Sequence, residues 1–294
     1  MIEGPQRRRR LVLHAGTPKT GTSALQRALY RNVDRLAEIG IWYPPADVEP
    51  LQKKHQYLVD LLLAADAAGF RRRFDEIERT APLQTHTVVL STEGLFNHWW
   101  DYPVASKALL GELGSRFDLH LWTCFREPVS FAISQYAQLL RNTRRYASAY
   151  GLVHDFEEML EHEWFAKRLD YAGFIREAEA TLGKGHVRAF RYGPDIVQRV
   201  FCALGAAPPQ TERVHPSLRT PGVALMRIVN RYALETEDQN RAQALVLELD
   251  TLIGDRSEPL EAGDAARRRI YELNAGGWEL VQAMTADDDK ESVR

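Results

Sequence analysis

An α/β fold built on a parallel sheet follows from three observations. Short, largely apolar runs recur along the 294 residues, at Leu11 to His14, Thr87 to Leu90, Leu119 to Phe125 and His186 to Tyr192. Stretches with apolar residues at helical spacing separate them. Several of the runs end directly in a polar turn that opens a helix, the connection that parallel strands need.

Each element can be justified in order. Leu11 to His14 reads as a buried strand, and from Thr20 the pattern turns helical through Ala24, Leu25, Ala28, Leu29 and Val33. Ile41 to Pro45 is a short apolar segment closed by two prolines. His55 to Ala68 reads as a helix with Leu58, Leu61, Leu62 and Ala65 on one face, and Phe70 to Arg79 as a charged helix. After the strand Thr87 to Leu90 comes Ser91-Thr92-Glu93, then a helix over Lys107 to Leu113. The strand Leu119 to Phe125 runs into Arg126-Glu127-Pro128, and Pro128 suits the first turn of a helix reaching Arg141. Phe156 to Ala180 and Pro194 to Leu204 read as helices around the last strand. Ala206 to Thr220 is proline-rich and irregular. Val223 to Gly254 and Pro259 to Met284 are charged helices.

Composition bounds the class. Hydrophobic content of 45% and charged content of 27% are those of an ordinary globular chain. A net charge of −2 gives no reason to expect a nucleic-acid partner. The Arg7 to Arg10 run reads as a basic N-terminal arm over residues 1–10, solvated or drawing in an anionic substrate. The two cysteines, Cys124 and Cys202, read as buried small hydrophobes with no disulfide framework and no zinc spacing. No apolar stretch approaches the roughly 20 residues of a membrane span, and no secretory leader is visible, so a cytoplasmic location is expected. No internal repeat or linker stands out. A single domain over 11–284, its C-terminal part helical, and a disordered tail over 285–294 are expected.

The chemistry concentrates after the first strand, in Gly16-Thr17-Pro18-Lys19-Thr20-Gly21-Thr22-Ser23. A strand, a glycine-bounded turn and a helix N-terminus together cradle phosphate, because backbone N–H groups there lack partners and the turn admits close approach. The spacing nearly matches the triphosphate loop G-x-x-x-x-G-K-[ST]. The lysine, however, has moved into the loop as Lys19, and Thr22 follows Gly21. No strand ends in the aspartate that a magnesium site would favour. Magnesium-dependent triphosphate chemistry is disfavoured on both counts, and no metal is expected.

Pro18-Lys19-Thr20-Gly21-Thr22-Ser23 resembles the 5′-phosphosulfate loop of the sulfotransferases that use 3′-phosphoadenosine 5′-phosphosulfate (PAPS). Phe125-Arg126-Glu127-Pro128, with Ser134 eight residues past Arg126, resembles that family's 3′-phosphate motif. A guanidinium grips phosphate through paired hydrogen bonds and a hydroxyl adds a donor. The resemblance covers roughly residues 11–220. It implies a P-loop kinase-like three-layer fold with a central parallel sheet, PAPS as cofactor and PAP as its product. It also implies cofactor binding by Pro18, Lys19, Thr20, Gly21, Thr22, Ser23, Arg126 and Ser134. Ser217 stands in His215-Pro216-Ser217 where bacterial members carry Asn-x-Ser, and the histidine is a departure from that pattern.

Sulfuryl transfer needs a cation at the leaving oxygen and a base at the acceptor. Lys19 suits the first role. Glu93 suits the second, since it follows a strand end at the edge that carries the loop; the alternatives are a helix cap or a partner of Arg126. His55 and His98 are reserves, and His14 reads as a structural hydrogen-bonder. The cluster Phe96 to Tyr102 is either an acceptor platform or packing, and Arg141 to Tyr146 an acceptor groove or a solvated loop. By resemblance the acceptor is a carbohydrate hydroxyl or amine. Two alternatives stand beside the transferase: a magnesium-dependent nucleotide or small-molecule kinase, and a nucleotide-binding protein without catalysis.

Overall fold

The computed structural model describes residues 8–45, 54–141, 154–210, 219–232, 236–253 and 258–286. In chain order the elements begin with β1 (Arg10–His14), α1 (Thr22–Arg31), α2 (Val33–Glu38), β2 (Ile41–Trp42), α3 (Tyr57–Leu63) and α4 (Ala67–Thr80). Then come β3 (Thr87–Ser91), α5 (Gly94–Asn97), α6 (Val104–Arg116), β4 (Asp118–Phe125), α7 (Pro128–Arg141), α8 (Phe156–Leu160) and α9 (Glu163–Lys167). The chain continues with α10 (Tyr171–Leu182), β5 (Val187–Arg191), α11 (Ile196–Leu204), α12 (Thr220–Arg231), α13 (Thr236–Ile253), α14 (Asp264–Asn274) and α15 (Gly277–Thr285).

The described residues fall into two compact units. The first comprises those within 1–126, 171–213 and 279–294; the second comprises those within 127–170 and 214–278. In the first unit the five strands form one sheet in the order β2-β3-β1-β4-β5, and every pairing is parallel. Such strands are covered on both faces, and the residues of the central ones are accordingly mostly buried and apolar, with polar residues mainly at the strand ends. One face packs Val12, Val89, Trp122, Cys124 and Phe190 against α1, α2 and α11. On the other, Phe125 meets Phe96, Tyr171 and Phe174 at ring separations of 4.8–6.3 Å. The result is the expected three-layer α/β arrangement.

The second unit is helical. Asn230 on α12 donates to the Leu140 carbonyl of α7, and Gln239 and Gln243 on α13 both donate to Asn230 Oδ1. Asn274 at the end of α14 donates to the Leu169 carbonyl at 2.7 Å. Buried amides, each with a partner, thus fix the packing of these helices.

Several expectations need correction. Phe156 to Ala180 is three helices, not one. Asp155 and Glu158 form a capping box for α8, and the chain breaks again before α9 and α10. His55 to Ala68 is likewise interrupted. Ala65 adopts a φ of 52°, and Asp66 restarts the helix by accepting from the Gly69 amide. Cys124 is buried, but Cys202 is exposed, because it sits on the face of α11 opposite Val197, Val200, Phe201 and Leu204. Helix α15 runs one residue into the expected tail, with Thr285 buried. Of the expected arm, Arg8 and Arg9 donate to the carbonyls of Gly114 and Thr85. Among the described residues no helix is long and apolar enough to cross a membrane.

Candidate active site

Strand β1 lies between β3 and β4, so the loop after it leaves the carboxyl edge of the sheet at its centre. That is where chain connections diverge to opposite sides and where open parallel sheets bind ligands. Pairing continues past the strand ends. Thr92 N donates to the His14 carbonyl at 3.0 Å, Ala15 N to Trp122 O at 2.8 Å and Thr17 N to Cys124 O at 3.3 Å. Lys19, Glu93 and Arg126 therefore emerge at one edge from three adjacent strands.

The loop is clamped at its base. Thr17 Oγ1 donates to the Cys124 carbonyl at 2.8 Å, and Thr20 Oγ1 donates to the Thr17 carbonyl at 2.5 Å. The Thr20 hydroxyl hydrogen is thus committed inside the loop. Burial pushes the Cys124 thiol up to about 12, so it stays protonated and inert under the loop.

Two glycines serve different needs. Gly21 adopts a φ of 79° and ends the loop as the N-cap of α1. No side chain caps that helix and no acidic residue lies in its first turn. Gly16 provides space: a methyl group there would stand 2.5 Å from Thr22 Oγ1 and 2.8 Å from His14 Cε1. Between the glycines, Lys19 also adopts a left-handed conformation, with a φ of 65°. Such backbone costs about 1–2 kcal/mol for a residue with a side chain. Ala65 and Ala275 adopt positive φ where helices end, whereas Lys19 does so between the two glycines of the loop.

Thr22 Oγ1 is buried and has no hydrogen-bond partner among the described residues. An orphaned hydroxyl in a glycine-bounded loop, beside an uncapped helix N-terminus, fits an oxyanion ligand. Pro18 is buried, Lys19 half-buried and Ser23 exposed at the start of α1.

Arg126 stands at the end of β4, half-buried. Its Nη1 donates to the Lys19 carbonyl at 3.4 Å, and its guanidinium lies 5.1 Å from the ring of Tyr192. Its own carbonyl accepts from the buried Tyr171 hydroxyl at 2.9 Å. Tyr192 was not anticipated from the sequence; its one cue is its place just beyond β5, at the same sheet edge. Ser134 is buried on α7 in the second unit. The first-turn amides of α7 are already taken, because both Glu127 carboxylate oxygens accept from Val129 N and Ser130 N. Ser217 and the stretch Asn142 to Tyr146 lie outside the described residues.

Glu93 follows β3 and is half-buried as the N-cap of α5. Its side chain caps nothing and makes no hydrogen bond or ion pair with any described residue. The two alternatives, a cap or a partner of Arg126, are therefore not what the structure shows. His98 ends α5, and its Nδ1 lies 3.1 Å from Asp101 Oδ2.

His55 is withdrawn as a reserve base. It is wholly buried, its Nδ1 accepts from Ser91 N at 2.9 Å, and its Nε2 donates to the Pro44 carbonyl at 3.0 Å. Neither nitrogen has a lone pair left for an acceptor proton. The aromatic cluster is also mostly packing. Phe96 and Trp99 are fully buried against Phe174, and Trp99 Nε1 donates to Glu177, so that of the Phe, Trp and Tyr rings in the cluster Trp100 alone is part-exposed.

Burial pushes His14 and His55 down to about 4, against an ordinary 6.5. Above pH 6.5 both stay neutral in either state. Below it the unfolded chain takes up protons that the folded chain refuses, so stability falls until about pH 4, by roughly 3 kcal/mol per histidine. The melting temperature should fall steadily from pH 6.5 to 5. A flat profile over that interval contradicts the burial argument.

No family model matches the chain, and no curated protein matches it. Among solved structures it is similar to a sulfotransferase from Alicyclobacillus acidocaldarius, at 18% identity and a TM-score of 0.43, over 90% of this chain and 100% of that one. It is also similar to mouse sulfotransferase SULT7A1 complexed with PAP, at 14% identity and a TM-score of 0.39, over 97% of this chain and 90% of that one.

Proposed function

We propose that this chain is a PAPS-dependent sulfotransferase that moves a sulfuryl group to a hydroxyl or amine of a carbohydrate acceptor. The observation that carries the reading is the strained lysine. Lys19 is held at a φ of 65° inside a phosphate-type loop, and its carbonyl accepts from Arg126 of the neighbouring strand end. A triphosphate loop places its lysine on the helix instead, where it reaches the outer phosphates beside a magnesium ion.

When bound, PAPS supplies the transferable sulfuryl group together with its own phosphate leaving group. The orphaned Thr22 hydroxyl, the uncapped amides of α1 and Ser23 would hold the 5′-phosphate. Lys19 stabilises negative charge at the leaving oxygen, where a fixed cation contributes most. Arg126 takes the 3′-phosphate, and the motif assigns Ser134 to it as well; Ser217 is assigned to the cofactor by resemblance alone. Glu93, uncommitted at the same edge, accepts the proton of the incoming nucleophile, with His98 in reserve.

The test is transfer of labelled sulfate from PAPS to a panel of oligosaccharides. In Glu93→Gln, turnover should fall about 100- to 10,000-fold while PAP affinity holds, the range for loss of a positioned base. Undiminished turnover removes Glu93 from the role.

A further inference from the structure

His14 ends the central strand fully buried, and the transfer chemistry makes no use of it. Its Nδ1 lies 2.9 Å from Ser91 Oγ. Gln26, on α1, donates from Nε2 to the same oxygen at 3.2 Å. One hydroxyl of β3 therefore ties the strand that enters the phosphate loop to the helix that leaves it. Ser91 is fixed in turn, because its N–H donates to His55 Nδ1 and its carbonyl accepts from His55 N, both at 2.9 Å. His55 is anchored on Pro44. A backbone N–H can only donate and a carbonyl only accept, so the tautomer of His55 is settled.

The other edge of His14 leans over the loop. A methyl group on Gly16 would stand 2.8 Å from His14 Cε1, 3.1 Å from His14 Nε2 and 2.5 Å from Thr22 Oγ1. The imidazole and the Thr22 hydroxyl thus flank the same glycine. That hydroxyl is the buried one without a partner, an arrangement that is unfavourable unless a ligand completes it.

We infer that His14 is a positioning residue of the phosphate loop: anchored on Ser91 beside Gln26, its ring packs over Gly16 and holds the Thr22 hydroxyl uncommitted for a nucleotide 5′-phosphate. The inference rests on the transferase reading. An apolar residue would fill the same volume without fixing the ring. Here the hydrogen bond sets the ring's orientation, and the shared oxygen holds both ends of the loop at one separation.

The test uses the full chain and two ligands, PAP and adenosine 3′-phosphate, which differ only in the 5′-phosphate. Their affinity ratio isolates the contribution of the loop. His14→Phe keeps the ring and loses Nδ1; Ser91→Ala removes the shared oxygen. Each should weaken PAP about 10- to 100-fold, the scale of a 1 Å misplacement, and leave adenosine 3′-phosphate within about 2-fold. The double variant should be no worse than Ser91→Ala alone, because that change already removes the His14 link together with those of Gln26 and Tyr43. His14→Asn, which restores a polar atom where Nδ1 stood but not the ring edge over Gly16, should recover only part of the lost PAP affinity, and full recovery would overturn the role given to the ring. Equal losses for both ligands, or no loss in either variant, overturn the inference. Should His14→Phe fail to fold, Ser91→Ala carries the same comparison. A parent chain that binds both ligands equally overturns the transferase reading itself, and that result is visible before any variant is made.

Discussion

Replacing Lys19 with glycine should make the protein more stable and abolish its turnover. The two effects have separate causes. At a φ of 65° the backbone of Lys19 is strained by its own Cβ. Glycine relieves that strain, and a net gain of about 1 kcal/mol is expected after its greater unfolded-state freedom is subtracted. The ammonium is lost at the same time. Removing one preorganised charge or donor from a developing oxyanion costs about 100- to 1,000-fold in rate, and a full cation belongs at the upper end. Lys19→Ala separates the two effects, because alanine keeps the Cβ strain: it should lose the same activity without the gain in stability. Thermal melts and labelled-sulfate transfer on the two variants decide the matter. A Lys19→Gly variant that is both destabilised and active would show that the strain serves something other than placing the ammonium.

Gly16→Ala should weaken nucleotide binding severely while leaving the sheet intact. The added methyl would stand 2.5 Å from Thr22 Oγ1 and 2.8 Å from His14 Cε1. Neither neighbour can retreat easily, since Thr22 opens α1 and His14 is held by Ser91. Overpacking of this kind costs about 1–3 kcal/mol. The larger consequence is for the cradle: either the Thr22 hydroxyl or the Gly16 backbone must move, and PAP affinity should fall by about 100-fold or more. Gly21→Ala fails for a different reason, its φ of 79°, so the two variants should differ in stability as well as in binding. Calorimetric titration with PAP checks the first claim. Unchanged affinity in Gly16→Ala would mean that the loop opens elsewhere to take the anion.

The parts legible in the sequence were those that local rules govern. Leu11 to His14, Thr87 to Leu90 and Leu119 to Phe125 announce themselves as buried parallel strands by being apolar on both faces. Gly16, Lys19 and Gly21 announce a turn by residue type, and Pro128 opens α7 where it stands. What escaped depends on pairing between distant segments. His55 resembles a candidate base until β3 is placed beside it, when both nitrogens prove to be spoken for by Ser91 and Pro44. The link from His14 through Ser91 to Gln26 joins residues 65–77 positions apart, so no window of sequence contains it. Cys202 shows the reverse failure. Its surroundings are helical and apolar, but a 100° step around α11 from Phe201 turns it to solvent. The break of 156–180 into three helices was visible in principle, because the apolar spacing slips phase between Leu160, Phe165 and Leu169.

The central claim is that the loop holds an adenosine 3′,5′-bisphosphate and not a magnesium-bound triphosphate. It is tested most directly by thermal melting of the full chain with PAP and, separately, with ATP and magnesium. A ligand that binds only the native state at about 100 times its dissociation constant stabilises by about 2.7 kcal/mol, or about 5 °C for a chain of this size. PAP should raise the melting temperature by that much, and ATP with magnesium should leave it unmoved. Stabilisation by ATP and magnesium with none by PAP would contradict the account and return the chain to the kinases.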